Sequence, residues 1–183
     1  RGADVRLLDI LQAGTSDDGR VTRRQAETCQ RDGESLTSWC FGLPWVDIGR
    51  LVQRWRSDGW QPDEVWVTSL TSFWWRGVQE VIRRVKYDWW PHARVLLGGV
   101  YPTLYPDHAL ASTEADLIVT GAVPGVDPIP DLSLYERTPT NAGVHLYGGE
   151  RTAGAVVDEI ARLVYSGVRE IAFFDDELPG PDP

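Results

Sequence analysis

Small hydroxyl side chains and a pair of glycines follow two successive apolar runs of the chain. The run at 65–67 ends in the cluster Thr68, Ser69, Leu70, Thr71 and Ser72, and the run at 95–97 ends in Gly98 and Gly99. Residues of these types allow a flat or phosphate-bearing ligand to approach the backbone closely. The hydroxyl groups have a second interpretation, because Thr71 or Ser72 is also a suitable N-cap for a following helix. The pattern therefore predicts a ligand-contacting edge, with helix capping as the alternative.

The elements that would position these residues alternate between strand and helix. Strands are predicted at 65–68 and 94–97, with a helix between them at 74–87 that carries one apolar face and is ended by Pro91. Successive parallel strands end at the same edge of a sheet, where open α/β folds bind ligands. Both loops are therefore expected at that carboxyl edge. The expected fold class is α/β, a doubly wound parallel sheet of Rossmann or flavodoxin-like type.

Weaker patterns extend this arrangement along the chain. Further strands are predicted at 3–11 and 117–120, the second ended by Gly121, and a further helix is predicted at 46–57. Residues 15–43 are polar and rich in turn formers, which indicates a loop with a short helix. Residues 99–108 are expected to be a loop stiffened by two prolines, with a short helix at 107–112 behind it.

A change in composition after Gly121 indicates a domain boundary. Residues 122–140 are rich in proline and predict a linker. Beyond it a second α/β segment is predicted, with a helix at 152–166, capped by Thr152 and ended by Gly167, and a strand at 168–174. The expected organisation is a domain at 1–121, a linker at 122–140 and a partial second domain at 141–183.

The composition argues against several classes of function. Across 183 residues the net charge is −9, which disfavours binding to nucleic acid or to an anionic membrane surface. No apolar run approaches the ~18 residues of a membrane span, and no signal peptide is visible. The two cysteines lack a CxxC spacing, which indicates reduced thiols in a cytoplasmic protein. The chain contains no methionine, so we expect a fragment. A doubly wound fold would normally begin one strand and one helix before residue 3, so the first strand is expected to be missing.

The stretch GGVYPTLYPDHA at 98–109 resembles part of the cobalamin-binding domain of cobalamin-dependent radical S-adenosylmethionine enzymes. The likeness continues through ADLIVTG at 115–121, similar to the strand that closes that domain. It ends in VVDEIARLVYSGVREIAFFDDEL at 156–178, which resembles the first helix and second strand of the radical barrel. The resemblance implies a cobalamin cofactor, with the 68–72 loop facing the corrin and a second loop bordering the nucleotide tail. The residues implied for that second region are Gly98, Gly99, Val100, Tyr101, Thr103, Leu104 and Gly121.

One motif of that family is missing from the chain. The family carries CxxxCxxC between the linker and the barrel helix, and its three thiolates hold an iron–sulfur cluster. Residues 143–151 read GVHLYGGER, so we expect this chain neither to bind the cluster nor to cleave S-adenosylmethionine. Those cofactors, with the methyl transfer they support, belong to intact relatives. The expected function is a cobalamin-binding module or an inactive remnant, and enzymatic activity stays open.

Two alternatives of other classes also stay open. One is a flavodoxin-like module for a nucleotide or phosphate ligand. The chain contains neither GxGxxG nor GxxxxGK[ST], which argues against this alternative. The other is a partner-binding domain, which is suggested by nine tryptophans, including pairs at both ends of the predicted helix at 74–87. His108 is expected to be a capping or surface residue and His145 is isolated, so no metal site is predicted. The substrate and any partner domain are left open.

Overall fold

A computed structural model of the chain describes residues 3–10, 23–69, 71–121, 123, 132–135, 141–144 and 152–173. The chain forms two compact units. The larger spans Asp9–Val126, and the smaller combines Arg1–Leu8 with Asp127–Pro183. Most of the predicted linker at 122–140 lies outside the described residues. Within the described ranges, no helix has both the length and the apolar character that a membrane crossing requires.

The larger unit combines a hairpin, a parallel sheet and helices. In chain order its elements are β1 (Arg23–Arg31), β2 (Glu34–Phe41), α1 (Trp45–Ser57), β3 (Glu64–Ser69), α2 (Trp75–Arg84), β4 (Arg94–Gly99), α3 (Val100–Leu104), α4 (Pro106–Thr113) and β5 (Leu117–Ile118). A 3₁₀ turn, Ser72–Trp74, precedes α2, and a π-helical turn, Val85–Trp89, follows it. The predicted helix at 46–57 and strands at 65–68 and 94–97 are confirmed.

The three strands β3, β4 and β5 form a parallel sheet in that order. The register pairs Glu64 with Arg94 at one end and Ser69 with Gly99 at the other, so β3 and β4 end at the same edge. The sheet and the helices between its strands make this unit a mixed α/β fold. The closing strand is shorter than the predicted 117–120, although the Val119 N–H still donates to the Leu97 carbonyl at 2.8 Å.

Alternating residues of β4 and one face of α2 form much of the buried core. Val95 and Leu97 are fully buried, and so is Ile82 of α2, with Val78 and Val85 nearly so. Side chains two apart on a strand share one face, whereas an α-helix returns to the same face after three or four residues. Each such side chain stabilises the fold by about 1.5–3 kcal/mol when it is fully buried. The apolar spacing in the sequence thus determines which faces meet.

Two indole rings at the end of α1 and a third from a distant segment pack together. Trp55 of α1 stacks on Trp90 with ring centroids 6.4 Å apart. Trp60 meets both rings edge-on, at 5.6 Å from Trp55 and 5.7 Å from Trp90. Aromatic pairs at these separations contribute about 0.5–1.5 kcal/mol each beyond their burial. This indole cluster ties α1 and the turn after it to the end of the α2 segment.

The predicted strand at 3–11 is wrong for the part that is described. Residues 3–9 adopt no regular secondary structure, and Leu11 lies outside the described ranges. A strand is stable only when neighbouring backbone groups complete its ladder, and apolar residues alone do not provide such a neighbour. Charged residues at Asp4, Arg6 and Asp9 also interrupt the apolar run.

The predicted loop at 15–43 contains a β-hairpin instead. Strands β1 and β2 pair antiparallel from Arg23 opposite Phe41 to Arg31 opposite Glu34, while 15–22 lie outside the described residues. Asp32 and Gly33 form the turn, with φ of 53° and 83°. An Asp-Gly pair with two positive φ angles is the preferred two-residue hairpin turn, because its twist matches that of the strands. This dipeptide was the signal in the sequence.

The predicted loop at 99–108 is wrong for most of its length, because it contains α3 and the start of α4. Pro102 lies in the first turn of α3, and Pro106 is the first residue of α4. The N–H groups of a first helical turn have no partner within the helix, so proline is tolerated there. The prolines therefore begin helices here rather than stiffen a loop. The short helix predicted at 107–112 is confirmed.

The smaller unit contains a β-α-β arrangement. Its elements are β6 (Asn141–Val144), α5 (Ala153–Tyr165) and β7 (Glu170–Phe173), and the two strands pair in parallel. The Thr152 hydroxyl accepts a hydrogen bond from the Ala155 N–H at 3.2 Å, which confirms the predicted cap of the helix. Gly167 follows the helix with φ 103°. The buried cluster consists of Val144, Val156, Leu163 and Val168.

Candidate functional site

An open groove of about 310 Å³ lies beside the carboxyl ends of β3 and β4. The register pairs Trp66 with Leu96 and Thr68 with Gly98, so these four residues share one face of the sheet. The groove is mostly apolar, and its lining consists of Trp66, Val67, Thr68, Leu96, Gly98, Gly99, Val119, Gly121 and Val123. Mostly apolar clefts with a few polar groups are the usual form of small-molecule sites.

Trp66 supplies an aromatic wall of the groove. It is 56% exposed although it lies in the middle of a strand, and its indole N–H donates to Glu64 Oε2 at 3.0 Å. This hydrogen bond fixes the indole ring through its N–H group, and the apolar face of the ring remains accessible to a ligand. The sequence predicted only a strand here. The alternation of Trp66 and Thr68 with Val65 and Val67 was the signal that the indole lies on the more open face.

Gly98 keeps the floor of the groove open. A Cβ at this position would lie 3.8 Å from the Cβ and the carbonyl oxygen of Val119, which is ordinary van der Waals contact. A small side chain is therefore tolerated by the fold, and a larger one would project into the groove. Gly98 is thus a position at which ligand space can be reduced at little cost in stability.

Gly99 is required by the backbone itself. Its φ is 99° and its ψ is −168°, a region that only glycine adopts readily. A Cβ here would lie 2.6 Å from the Ser69 carbonyl oxygen and 2.8 Å from Thr68 Oγ1. The close approach of β4 to β3 therefore explains this glycine, whereas the family resemblance assigned its space to a ligand.

The hydroxyl cluster is only partly directed toward the groove. Thr68 lines it, but Ser69 is buried and donates a hydrogen bond to the Thr71 carbonyl at 3.1 Å. Thr71 precedes the 3₁₀ turn without a side-chain capping bond, so capping by this residue is not observed. Ser72 is exposed in the 3₁₀ turn, and Leu70 lies outside the described residues.

Tyr101 anchors α3 to α4 rather than lining the groove. It is 1% exposed, and its hydroxyl shares a 2.7 Å hydrogen bond with His108 Nδ1. Burial raises the pKa of Tyr101. The His108 ring also meets Trp75 edge-on, with centroids 5.1 Å apart. His108 is exposed, as predicted for a surface histidine, and it also binds Tyr101 and so joins α4 to the helices beside it.

Thr103 connects two walls of the groove through one hydroxyl group. Its Oγ1 donates to the Gly99 carbonyl at 2.7 Å and accepts from the Gly121 N–H at 2.9 Å. The residue was predicted to contact a ligand, and the structure instead places it behind the two glycines that do line the groove. It fixes the distance between the end of β4 and the segment after β5.

Exposed apolar side chains lie beside this edge of the sheet. Helix α3 contacts the 3₁₀ turn, and both carry large apolar residues at the surface. We call this set the edge ridge; its members are Phe73, Trp74, Val100 and Leu104. Val100 and Leu104 were predicted as binding residues, and they lie on the ridge rather than in the groove.

A carboxylate fixes the start of the closing strand. Asp116 Oδ2 accepts from the Val95 N–H at 2.8 Å, and Oδ1 accepts from Lys86 Nζ at 2.5 Å. The hydrogen bond from Lys86, followed by that from Val95, lowers the pKa of Asp116. Because β5 leads directly to Val119 and Gly121, this contact positions the third wall of the groove.

The fold and the groove together define a mixed α/β protein with a small ligand-sized cleft at the carboxyl edge of its parallel sheet. Within the described ranges, no three His, Cys, Asp or Glu side chains lie close enough to hold a metal ion. Comparison with known protein families, with curated proteins and with solved structures finds no match to this chain. The likeness to cobalamin-binding domains therefore stays a prediction.

Proposed function

We propose that the larger unit is a cobalamin-binding domain of the doubly wound, flavodoxin-like type. The observation that carries the proposal is the apolar groove at the carboxyl ends of β3 and β4, with Trp66 as its wall and Gly98 as its floor. The likeness of 98–109 to the cobalamin-domain stretch supports the same location. Open parallel sheets bind ligands at this edge in general.

The size of the groove defines which part of the cofactor it would hold. A volume of about 310 Å³ is at the lower end of the range for small-molecule pockets, about 300–1,000 Å³. It suits the heterocyclic base and sugar of the nucleotide tail, and it is too small for the corrin ring. In this proposal the corrin lies outside the groove, against the apolar edge ridge.

The residues of the chain would bind and orient the cofactor. Trp66 offers a flat surface for the base, Thr68 a hydroxyl for the sugar or phosphate, and Gly98 the space between them. The cofactor supplies the reactive cobalt, and the protein supplies position and exclusion of water. In this assignment Thr103 and Asp116 hold the walls and do not contact the ligand.

The proposal for the whole chain is a cytoplasmic binding module. The smaller unit is proposed as a partial segment of a radical S-adenosylmethionine barrel, on the likeness of 156–178. Because the CxxxCxxC motif is missing, the iron–sulfur cluster, S-adenosylmethionine cleavage and methyl transfer are assigned only to intact relatives. We further propose that the chain acts with an unknown substrate or partner domain, and that it binds neither nucleic acid nor a membrane.

The test is retention of hydroxocobalamin by the chain through gel filtration, followed by its visible corrin spectrum and by titration calorimetry. We expect Gly98→Val to weaken binding by about tenfold or more, since its side chain occupies the groove. The matched control is Gly77→Ala on α2, where a Cβ meets nothing within 4 Å. A colourless wild-type chain, or equal binding by a folded Gly98→Val variant, would refute the proposal.

The edge ridge and the groove keep a second candidate function open. A flavodoxin-like module would hold a nucleotide in the same groove without cobalamin, and flavin mononucleotide is the probe for it. Retention of this nucleotide together with exclusion of hydroxocobalamin would select the second candidate. Sensitivity of that binding to Gly98→Val would locate the nucleotide in the groove.

A further inference from the structure

The groove beside β3 and β4 offers a ligand few polar side-chain groups. Among its described lining residues, only Trp66 and Thr68 have side chains that can form hydrogen bonds. The other lining residues are valines, a leucine and glycines, and none of the described ones is charged. An aromatic ring in the groove would therefore meet mainly apolar surface.

Both of these polar side chains are engaged away from the ring of a ligand. The Trp66 N–H donates to Glu64 Oε2 at 3.0 Å, and Glu64 Oε1 lies 3.8 Å from Arg94 Nη1. In the proposed function, the Thr68 hydroxyl bonds the sugar or phosphate of the nucleotide tail. The ring itself is then left without a side-chain hydrogen-bond partner among the described groove residues.

Val119 contributes to the apolar character of the space above Gly98. Its Cβ and its carbonyl oxygen lie 3.8 Å from the position that a Cβ would take at Gly98. A ring in this space contacts a side chain that has only methyl groups, and the neighbouring carbonyl oxygen accepts hydrogen bonds but donates none. Acceptor atoms on the ring would lose their bonds to water there without gaining a side-chain donor.

We propose that the groove selects its ligand by the polarity of the aromatic ring, and that Val119 is a specificity-determining residue. The proposal rests on the cobalamin-binding function proposed for the larger unit. A dimethylbenzimidazole ring in a nucleotide tail has one free ring nitrogen and two methyl groups, whereas adenine has three free ring nitrogens and an amino group. Because each unpaired acceptor disfavours binding, the groove takes a benzimidazole-type tail in preference to a purine-type tail.

The test compares two cobamides that differ only in the base of the tail, hydroxocobalamin and its adenine analogue. Titration calorimetry of the full chain gives the ratio of their dissociation constants. We expect the wild type to bind hydroxocobalamin more tightly by about tenfold or more. Val119→Thr replaces a methyl group in the groove with a hydroxyl group of similar size, so it should lower this ratio by about threefold or more.

Val46→Thr is the matched control, because it makes the same replacement on α1 at a position that is 59% exposed and outside the groove. We expect this variant to retain the wild-type ratio. Equal binding of the two cobamides by the wild type would overturn the selectivity and leave the cobalamin function standing, as would an unchanged ratio in a folded Val119→Thr variant. Binding of neither cobamide would overturn both proposals.

Discussion

Replacing Gly99 by alanine should destabilise the larger unit by about 2–4 kcal/mol. The backbone at this residue, with φ 99° and ψ −168°, costs a non-glycine residue about 1–3 kcal/mol. The added Cβ would also lie 2.6 Å from the Ser69 carbonyl oxygen, a separation that forces β3 and β4 apart at their paired ends. Total stabilities of about 5–15 kcal/mol make such a loss easy to detect.

Urea unfolding followed by tryptophan fluorescence measures the loss of stability in the larger unit. All nine tryptophans lie between Trp39 and Trp90, within Asp9–Val126, so the signal reports the larger unit alone. With a denaturant slope of about 2 kcal/mol per molar, the middle of the usual range for small proteins in urea, the midpoint should fall by roughly 1–2 M.

Gly98→Ala is the matched control for this substitution. It adds the same methyl group one residue earlier, where the contact with Val119 is an ordinary 3.8 Å. We expect its midpoint to stay within a few tenths of a molar of the wild type. If Gly99→Ala were as stable as Gly98→Ala, the assignment of this glycine to strand approach would be wrong.

Three further substitutions test the contacts that hold the groove and its helices. Thr103→Val keeps the shape but loses both hydrogen bonds of the hydroxyl, so we expect a loss of about 1–3 kcal/mol in urea unfolding, with Thr103→Ser restoring it. Because its pKa is lowered, Asp116 stabilises the folded chain above the unfolded-state pKa and loses this effect as pH falls through the folded pKa. The stability difference between wild type and Asp116→Asn should therefore shrink at acidic pH; a constant difference would contradict the contact with Lys86. Tyr101→Phe retains the buried ring but loses the bond to His108, and unfolding should show a loss of about 1 kcal/mol.

Local sequence patterns were sufficient to predict the parallel strands and most helices. Strands β3 and β4 and helices α1 and α5 are marked by apolar spacing and by residues that end them, and these signals act within a few residues. The Thr152 cap is a contact between neighbours in the chain and was predicted for that reason. Two local signals were interpreted wrongly. Asp32-Gly33 forms a hairpin turn rather than part of a loop, and Pro102 lies in the first turn of helix α3 rather than in a loop.

The groove could be predicted only as a region of the chain. Gly98 and Gly99 were predicted together, but their different roles depend on Val119 and on Ser69, which are distant in sequence. Thr103 reaches Gly121 across eighteen residues, and no local pattern signals that bond. Trp66 was missed because the alternation of residues 65–68 separates the two faces of the strand but does not show how open the helices leave each face.

The indole cluster gives this protein an optical signal of its assembly. Rings of Trp55, Trp60 and Trp90 at 5.6–6.4 Å are close enough for their electronic transitions to couple. Such coupling produces paired circular-dichroism bands of opposite sign, which depend on the relative orientation of the rings rather than on helix content. Because Trp90 comes from a segment distant in sequence from Trp55 and Trp60, its contribution to these bands would vanish when the two segments part, even if each helix persisted. Refolding followed at these bands and in the helical region would therefore separate tertiary docking in time from helix formation.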